Sequence, residues 1–262
     1  MTRAIILAAG QGTRLRPLTN HSPKCLVTLA GKSLLDHQTQ VLKSSGIHNI
    51  HVVAGYCAEQ IMQRGYSCSI NKDYATTNMV ETLFSALDYL RGTDDLIISY
   101  GDIIYQTNNL YALLASHDAI NIMVDIAWRD YWALRFPNPL SDAETLKLDP
   151  SGYIIELGKK PHSFADIEGQ YTGLIKVSAN KINAFIDFYQ QLDRNAQYDG
   201  RDFAYMYLTS FLQALINAGW KIKAVPVKNG WLEVDSVEDL QKYETLTAAG
   251  QLARFYQLGD SL

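Results

Sequence analysis

The chain is poor in cysteine. Its three, Cys25, Cys57 and Cys68, form no C-x-x-C pair, so neither a disulfide framework nor a zinc site is indicated. Free thiols in a reducing cytoplasm are expected. Positive charge is not in excess either, since 23 Lys and Arg face 27 Asp and Glu, for a net charge of −4. That balance leaves no footprint for nucleic acid or an anionic membrane surface, and any phosphate binding must be local. No apolar run reaches transmembrane length. The first apolar run begins at Ala4, so no secretory leader is expected. Repeats, low-complexity tracts and linkers are also absent, and 262 residues suit one large domain or two closely joined lobes. The division expected is a single domain over 1–262, with a nucleotide-binding half at 1–120, an acceptor-binding half at 121–235 and a helical segment at 236–262. Nothing in the sequence fixes an oligomeric state.

What is there begins at once. Ala4 to Ala8 reads as a strand buried on both faces. It runs into Ala9-Gly10-Gln11-Gly12-Thr13-Arg14-Leu15-Arg16-Pro17, with Pro23-Lys24 just behind. Gly10 and Gly12 allow a sharp turn and let backbone N–H groups approach a bulky anion. Arg14, Arg16 and Lys24 add positive charge where a phosphate chain would lie. Gly10 and Gly12 by themselves fit an ordinary strand-to-helix turn. The Walker spacing is missing, and Leu15 stands where a dinucleotide fingerprint has its third glycine.

The first hundred residues alternate strand and helix. Helical spacing follows Ser33 as far as Gly46, a strand spans Ile50 to Ala54, and a short helix holds Ile61 and Met62. A further strand is expected over Ser67 to Asn71, a helix over Met79 to Leu90 capped by Asn78, and a strand over Leu96 to Ser99. This pattern predicts an α/β fold with a mainly parallel sheet covered by helices, whose ligands gather at the carboxyl ends of the strands. Beyond Ile122 to Ala127 comes an aromatic, charged segment from Trp128 to Arg135. A hairpin turns at Asp149-Pro150-Ser151-Gly152, and Tyr171 to Val177 and Lys221 to Val227 read as strands. Helices are expected over Lys181 to Leu192, over Phe203 to Ala218 and from Ser236, the last with a Ser236-x-x-Asp239 capping box. The second half reads as a smaller mixed lobe closing over the same edge.

Asp102 ends one strand and Asp235 follows another. Alternation along Glu233-Val234-Asp235 places both carboxylates on one side. Each aspartate alone fits a turn or a cap, Asp235 especially. Together with the opening loop they fit a pair of ligands for a divalent cation that also meets phosphate oxygens.

The string L-A-A-G-x-G-T-R-L-x-P-L-T, with P-K behind it, resembles the signature of nucleotidyltransferases that join a nucleoside triphosphate to a phosphorylated acceptor. Val52-Val53-Ala54-Gly55-Tyr56, Asn78-Met79-Val80-x-Thr82-Leu83, Gly101-Asp102, Gly169-Gln170-Tyr171-Thr172-Gly173-Leu174 and Trp231-Leu232-Glu233-Val234-Asp235-Ser236 extend the resemblance through most of the chain. It implies a GT-A-like, Rossmann-related mixed sheet with a smaller α+β acceptor lobe. It implies a nucleotide site at Leu7, Ala8, Ala9, Gly10, Gln11, Gly12, Thr13, Arg14, Lys24, Gly55, Asn78 and Gly101. It also implies Mg²⁺ on Asp102 and Asp235, with Arg14 on the β/γ-phosphates and Lys24 on the α-phosphate. Within the superfamily the chain is more similar to cytidylyltransferases for phosphocholine or 2-aminoethylphosphonate, whose partners are CTP and a small phosphorylated acceptor in the cytoplasm. Such enzymes serve surface-polysaccharide or phosphonate assembly. A sugar-1-phosphate enzyme using UTP, dTTP or GTP and a catalytically inactive nucleotide sensor are the alternatives.

The acceptor is expected at Trp128, Arg129, Tyr131, Arg135, Lys159, Tyr171 and Glu233. The aromatics, Trp132 and Trp231 among them, fit a cage for an ammonium and fit lobe packing as well. Arg129, Arg135 and Lys159 fit partners for an acceptor carboxylate, while Lys159 and Lys160 also fit a solvated turn. Gln170 stands where the related motif commonly has Glu, which removes a charge from this region.

Overall fold

The computed structural model describes residues 1–258. Apart from two short two-residue ladders, the strands are β1 (Thr2–Ala8), β2 (Ile50–Ala54), β3 (Ser67–Ile70), β4 (Asp95–Tyr100), β5 (Ile103–Tyr105), β6 (Ile120–Asp125), β7 (Leu146–Leu148), β8 (Ile154–Leu157), β9 (Gln170–Val177), β10 (Ile222–Val227) and β11 (Trp231–Glu233). The main helices are α1 (Leu34–Ser44), α2 (Ala58–Met62), α3 (Met79–Phe84), α4 (Leu87–Leu90), α5 (Thr107–Leu114), α6 (Trp128–Arg135), α7 (Ile182–Gln191), α8 (Leu208–Asn217) and α9 (Val237–Ala248).

Seven strands form one sheet in the order β10-β6-β9-β4-β1-β2-β3. All its pairings are parallel except those of β9, which runs antiparallel to both neighbours. The second half therefore adds β6, β9 and β10 to the first half's sheet, while the β7–β8 and β5–β11 ladders stand outside it. Alternation along β1 divides the core: Ala4, Ile6 and Ala8 join the cluster packed with α1, α5, α6 and α9. Ile5 and Leu7 join the cluster packed with α3, α7 and α8. Burial of residues on both faces explains why these strands read as continuous apolar runs.

The β1 strand has β2 on one side and β4 on the other, so the sheet order reverses there. Such a reversal opens a crevice beyond the carboxyl ends of the strands. The opening loop follows β1 and Gly101-Asp102 follows β4, so both border this crevice.

Three helical readings change. The helix over Met79 to Leu90 breaks between α3 and α4, where Ser85 Oγ donates to Thr82 O at 2.8 Å and competes with the helical ladder. Phe203–Tyr205 is a 3-10 turn and α8 starts only at Leu208. In that turn Ala204 O accepts the Asn78 N–H at 2.9 Å, so the chain is held against α3. The aromatic segment after β6 is a helix, α6, with Trp128, Tyr131, Trp132 and Arg135 on its buried face. The predicted caps are present: Ser33 accepts from Asp36 N, and the Ser236–Asp239 box is complete.

Candidate active site

The opening loop is shaped by steric limits at three glycines. Gly12 has φ +62, and a Cβ there would lie 2.9 Å from Lys24 Cβ. Gly10 needs neither freedom, because its surroundings are open and its φ is not in the left-handed region. A Cβ at Gly101 would meet Leu7 O at 2.6 Å, and one at Gly55 would meet Ala9 O at 2.7 Å. These two let β4 and β2 close on the loop. Gly55 thus buttresses Ala9 from the side, and Tyr56 N donates to Ala9 O at 3.0 Å. Thr19 Oγ1 donates to Gly12 O at 2.7 Å, and buried Leu15 anchors the following turn.

The loop, Asp102 and Asp235 meet because β11 pairs antiparallel with β5. The pairing continues as Val234 N donates to Asp102 O at 2.9 Å. Lys24 Nζ lies between the two aspartates, 2.7 Å from Asp102 Oδ2 and 2.6 Å from Asp235 Oδ1. Arg14 pairs with Asp235 Oδ2 from the open side. The Lys24, Asp102 and Asp235 side chains are 14%, 13% and 13% exposed. Burial by itself would lower the Lys24 pKa, but the Asp102 and Asp235 carboxylates outweigh it and raise it. Burial pushes the Asp235 carboxyl up, and Lys24 and Arg14 overcome that and lower its pKa.

Asp102 and Asp235 are the residues here that could hold a divalent cation. Asp102 Oδ1 is buried and meets no donor, while the neighbouring carboxylate oxygens already hold a cationic group, the Lys24 ammonium. No group of three or more His, Cys, Asp or Glu is arranged for a metal among the described residues. Two carboxylates fit a cation that takes its other ligands from phosphate and water.

A cleft of about 290 Å³ extends from this centre. Of the residues expected at the acceptor, Tyr171 and Glu233 line it. Trp128, Arg129, Tyr131, Arg135 and Lys159 do not. Trp128 packs edge-on against Trp132 at 6.0 Å. Arg129 is exposed and lies over Trp128 and Phe164. The Tyr131 hydroxyl accepts from Glu233 N at 2.7 Å. Arg135 is buried against Glu233 and Asp239, and Lys159 pairs with Asp199 at the surface. Tyr131, Arg135 and Lys159 are held by distant partners, and Trp128 and Arg129 pack within and beside α6, outside the cleft.

The cleft contains residues for which the sequence assigned no role. Asp142 and Glu144 line it. Glu144 lies in an irregular stretch between the turn at Pro139–Ser141 and β7, where no periodicity marks it out. Gln170 does not leave a missing charge there: its Oε1 accepts from Glu144 N at 3.1 Å and its Nε2 donates to Glu144 O at 2.6 Å. The amide clamps the backbone that presents Glu144. Burial, aided by Asp142, Glu233 and Asp199, raises the Glu144 carboxyl to about 7. A register shift in β9 between Tyr171 and Ile175, with Gly173 at φ +82 against the Tyr100 ring, brings Tyr171 to the cleft. Its hydroxyl is buried without a partner. Trp132 and Trp231 also line the cleft; Trp231 is fixed from behind by its Nε1–H donating to Asp125 Oδ2 at 2.9 Å. Asn78 lines it too, with Oδ1 accepting from Met79 N at 2.8 Å as a helix cap. A larger groove of about 760 Å³ between α6 and the end of α9, lined by Leu134, Leu246 and Phe255, contains none of the residues discussed here.

Residues 4–135 match the family model of the MobA-like NTP transferase domain. The chain is 45% identical over 247 residues to the CTP:phosphoglutamine cytidylyltransferase of Campylobacter jejuni, covering 91% of this chain and 97% of that one. It is 28% identical over 163 residues to the 2-aminoethylphosphonate cytidylyltransferase of Lancefieldella rimae, covering 60% and 61%. Its fold matches the structure of CTP:phosphocholine cytidylyltransferase from Streptococcus pneumoniae with a TM-score of 0.68 at 21% identity, covering 94% and 99%. The loop after β1, the paired aspartates and these likenesses agree: the chain belongs to the MobA-like NTP transferase family and is a nucleotidyltransferase.

Proposed function

We propose that this nucleotidyltransferase moves CMP from CTP to a small acceptor bearing a phosphate or phosphonate, and releases pyrophosphate. The two sequence relatives are cytidylyltransferases for phosphoglutamine and for 2-aminoethylphosphonate, which supports CTP and an acceptor of this class. The observation that carries the reading is the Asp102–Lys24–Asp235 bridge set beside the opening loop. Its three free thiols suit a reducing cytoplasm. Among the described residues no helix is long and apolar enough to cross a membrane.

An oxygen of the acceptor attacks the α-phosphorus in line, the bond to the bridging oxygen breaks, and pyrophosphate leaves with the electron pair. The attacking oxygen is already anionic, so no strong base is needed, and the protein's work is positioning and charge neutralisation. Arg14 grips the β/γ-phosphates, Lys24 the α-phosphate, and the N–H groups around Gly10 to Gly12 the remaining oxygens. Asp102 and Asp235 would hold Mg²⁺, which supplies further neutralisation of the triphosphate. Main-chain groups at Ala8 and Ala9, with Asn78, face the base.

On the acceptor side Asp142, Glu144 and Glu233 line the cleft together with Arg14, and the charges that act on Glu144 are those of Asp142, Glu233 and Asp199. An acceptor that carries an ammonium as well as its phosphorus group fits that charge, with Trp132, Trp231 and Tyr171 enclosing it. Pyrophosphate release measured with each NTP and a panel of phospho-acceptors tests the proposal. Turnover is expected with CTP and an amine-bearing acceptor; silence with CTP and every acceptor would overturn it.

A further inference from the structure

Arg135 ends α6 behind the cleft, and its side chain is 1% exposed. Its Nε and Nη2 donate to Asp239 Oδ1 and Oδ2 at 3.2 and 3.1 Å, and its Nη1 donates to Glu233 Oε2. The guanidinium also lies 5.7 Å from the Tyr131 and Trp132 ring centres and 5.0 Å from that of Phe136. A planar fork can grip one carboxylate with two parallel bonds while its third arm holds another; an ammonium cannot.

The two carboxylates it holds flank Asp235 in the chain. Asp239 Oδ2 accepts the backbone N–H of both Asp235 and Ser236 at 3.2 Å. The Glu233 backbone is held by the Tyr131 hydroxyl, and Tyr243 Oη donates to Glu233 O at 3.0 Å. The segment from Glu233 to Ser236 is thus tied at both ends, and Arg135 joins the two ties. Ser236 and Asp239 complete their capping box through each other, so the cap needs no arginine. What the arginine adds is a fixed distance between Glu233 and Asp239, and a positive charge that offsets two carboxylates beside Asp235. Lys242 Nζ donates to Arg135 O at 2.7 Å, which binds the end of α6 to α9.

We propose that Arg135 is a positioning residue: through Glu233 and Asp239 it sets the place of the Asp235 carboxylate at the catalytic centre. It does not touch the acceptor, because Glu233 stands between it and the cleft. The proposal rests on the nucleotidyl-transfer reading of that cleft. Partners of this kind, one step behind a ligating carboxylate, typically change affinity or activity by about 10- to 100-fold.

The test compares Arg135→Lys, Arg135→Ala and Asp239→Asn with wild type. Steady-state turnover is read alongside Mn²⁺ affinity, measured by electron paramagnetic resonance with CTP present and no acceptor. All three variants should lower kcat and weaken Mn²⁺ binding by about 10-fold or more. Guanidinium ion should restore part of the Arg135→Ala loss. An unchanged kcat would overturn the proposal, whatever the acceptor KM does through Glu233. Unchanged Mn²⁺ affinity would overturn it as well. If Arg135→Ala does not fold, Asp239→Asn keeps a backbone acceptor while losing the charged fork; wild-type behaviour there is equally fatal. Wild type that binds CTP and Mn²⁺ but turns over no acceptor would sink the acceptor reading instead, and the Mn²⁺ comparison would still decide the role of Arg135.

Discussion

Glu144→Gln keeps the shape of the side chain and removes its charge. Glu144 titrates near 7 because it is buried and faces Asp142, Glu233 and Asp199. On the proposed reading an acceptor ammonium binds the ionised form, which is about one-tenth of the protein at pH 6 and about nine-tenths at pH 8. Wild-type kcat/KM for the acceptor should therefore rise about tenfold over that interval. The acceptor's own phosphate also ionises near pH ~6, but that contribution persists in Glu144→Gln. The ratio of wild type to variant isolates the protein's group.

At pH 8 the variant should lose about 10- to 100-fold in kcat/KM, the worth of one charge-assisted hydrogen bond, with the KM for CTP unchanged. The assay is pyrophosphate release at saturating CTP and Mg²⁺ and constant ionic strength. A ratio that stays flat between pH 6 and 8 would refute the assignment. Stability gives an independent check. A carboxyl with a raised folded pKa binds more protons in the native state than in the unfolded one. Its contribution therefore falls as pH rises between 4.5 and about 7. The full gap corresponds to about 3 kcal/mol at most, so Glu144→Gln should gain more in Tm relative to wild type at pH 8 than at pH 5.

Two further substitutions probe the centre. Lys24→Gln leaves Asp102 and Asp235 facing one another without their shared cation; Mn²⁺ in the absence of nucleotide should bind about tenfold more tightly while turnover falls about 100-fold or more. Weaker Mn²⁺ binding in the variant would contradict the view that the ammonium stands at a cation position. Gly12→Ala forces a side chain into a left-handed residue and against the Lys24 stem. It should cost about 1–2 kcal/mol and lower kcat, whereas Gly10→Ala, with open space around it, should change neither by much. Equal effects on melting and turnover would show that the loop geometry does not depend on Gly12.

The sequence by itself determined the parts of the protein whose signals are local. Buried strands announce themselves as apolar runs, which is why β1, β2 and β4 were legible. The caps at Ser33 and Ser236 and the turn at Asp149 to Gly152 rest on side chains that bond within a few residues. The opening loop and the two aspartates were visible for the same reason, since both follow strands that end at one edge. Tertiary structure decided the rest. It delayed α8 to Leu208 and turned the aromatic segment into α6, because contacts with distant elements outweighed local periodicity; the break after Phe84, by contrast, rests on the local Ser85–Thr82 bond.

It also decided which charges face which. Nothing near Arg135 in the chain tells that its partners lie at Glu233 and Asp239, so an arginine expected at the acceptor is buried outside the cleft lining. Gln170, which seemed to remove a charge, clamps the backbone of Glu144, which supplies one. Lys24 meets Asp102 and Asp235 only because β5 and β11 pair across more than a hundred residues of chain. Local pattern fixes where the backbone runs; the partner of a charged side chain is set by what the fold brings beside it.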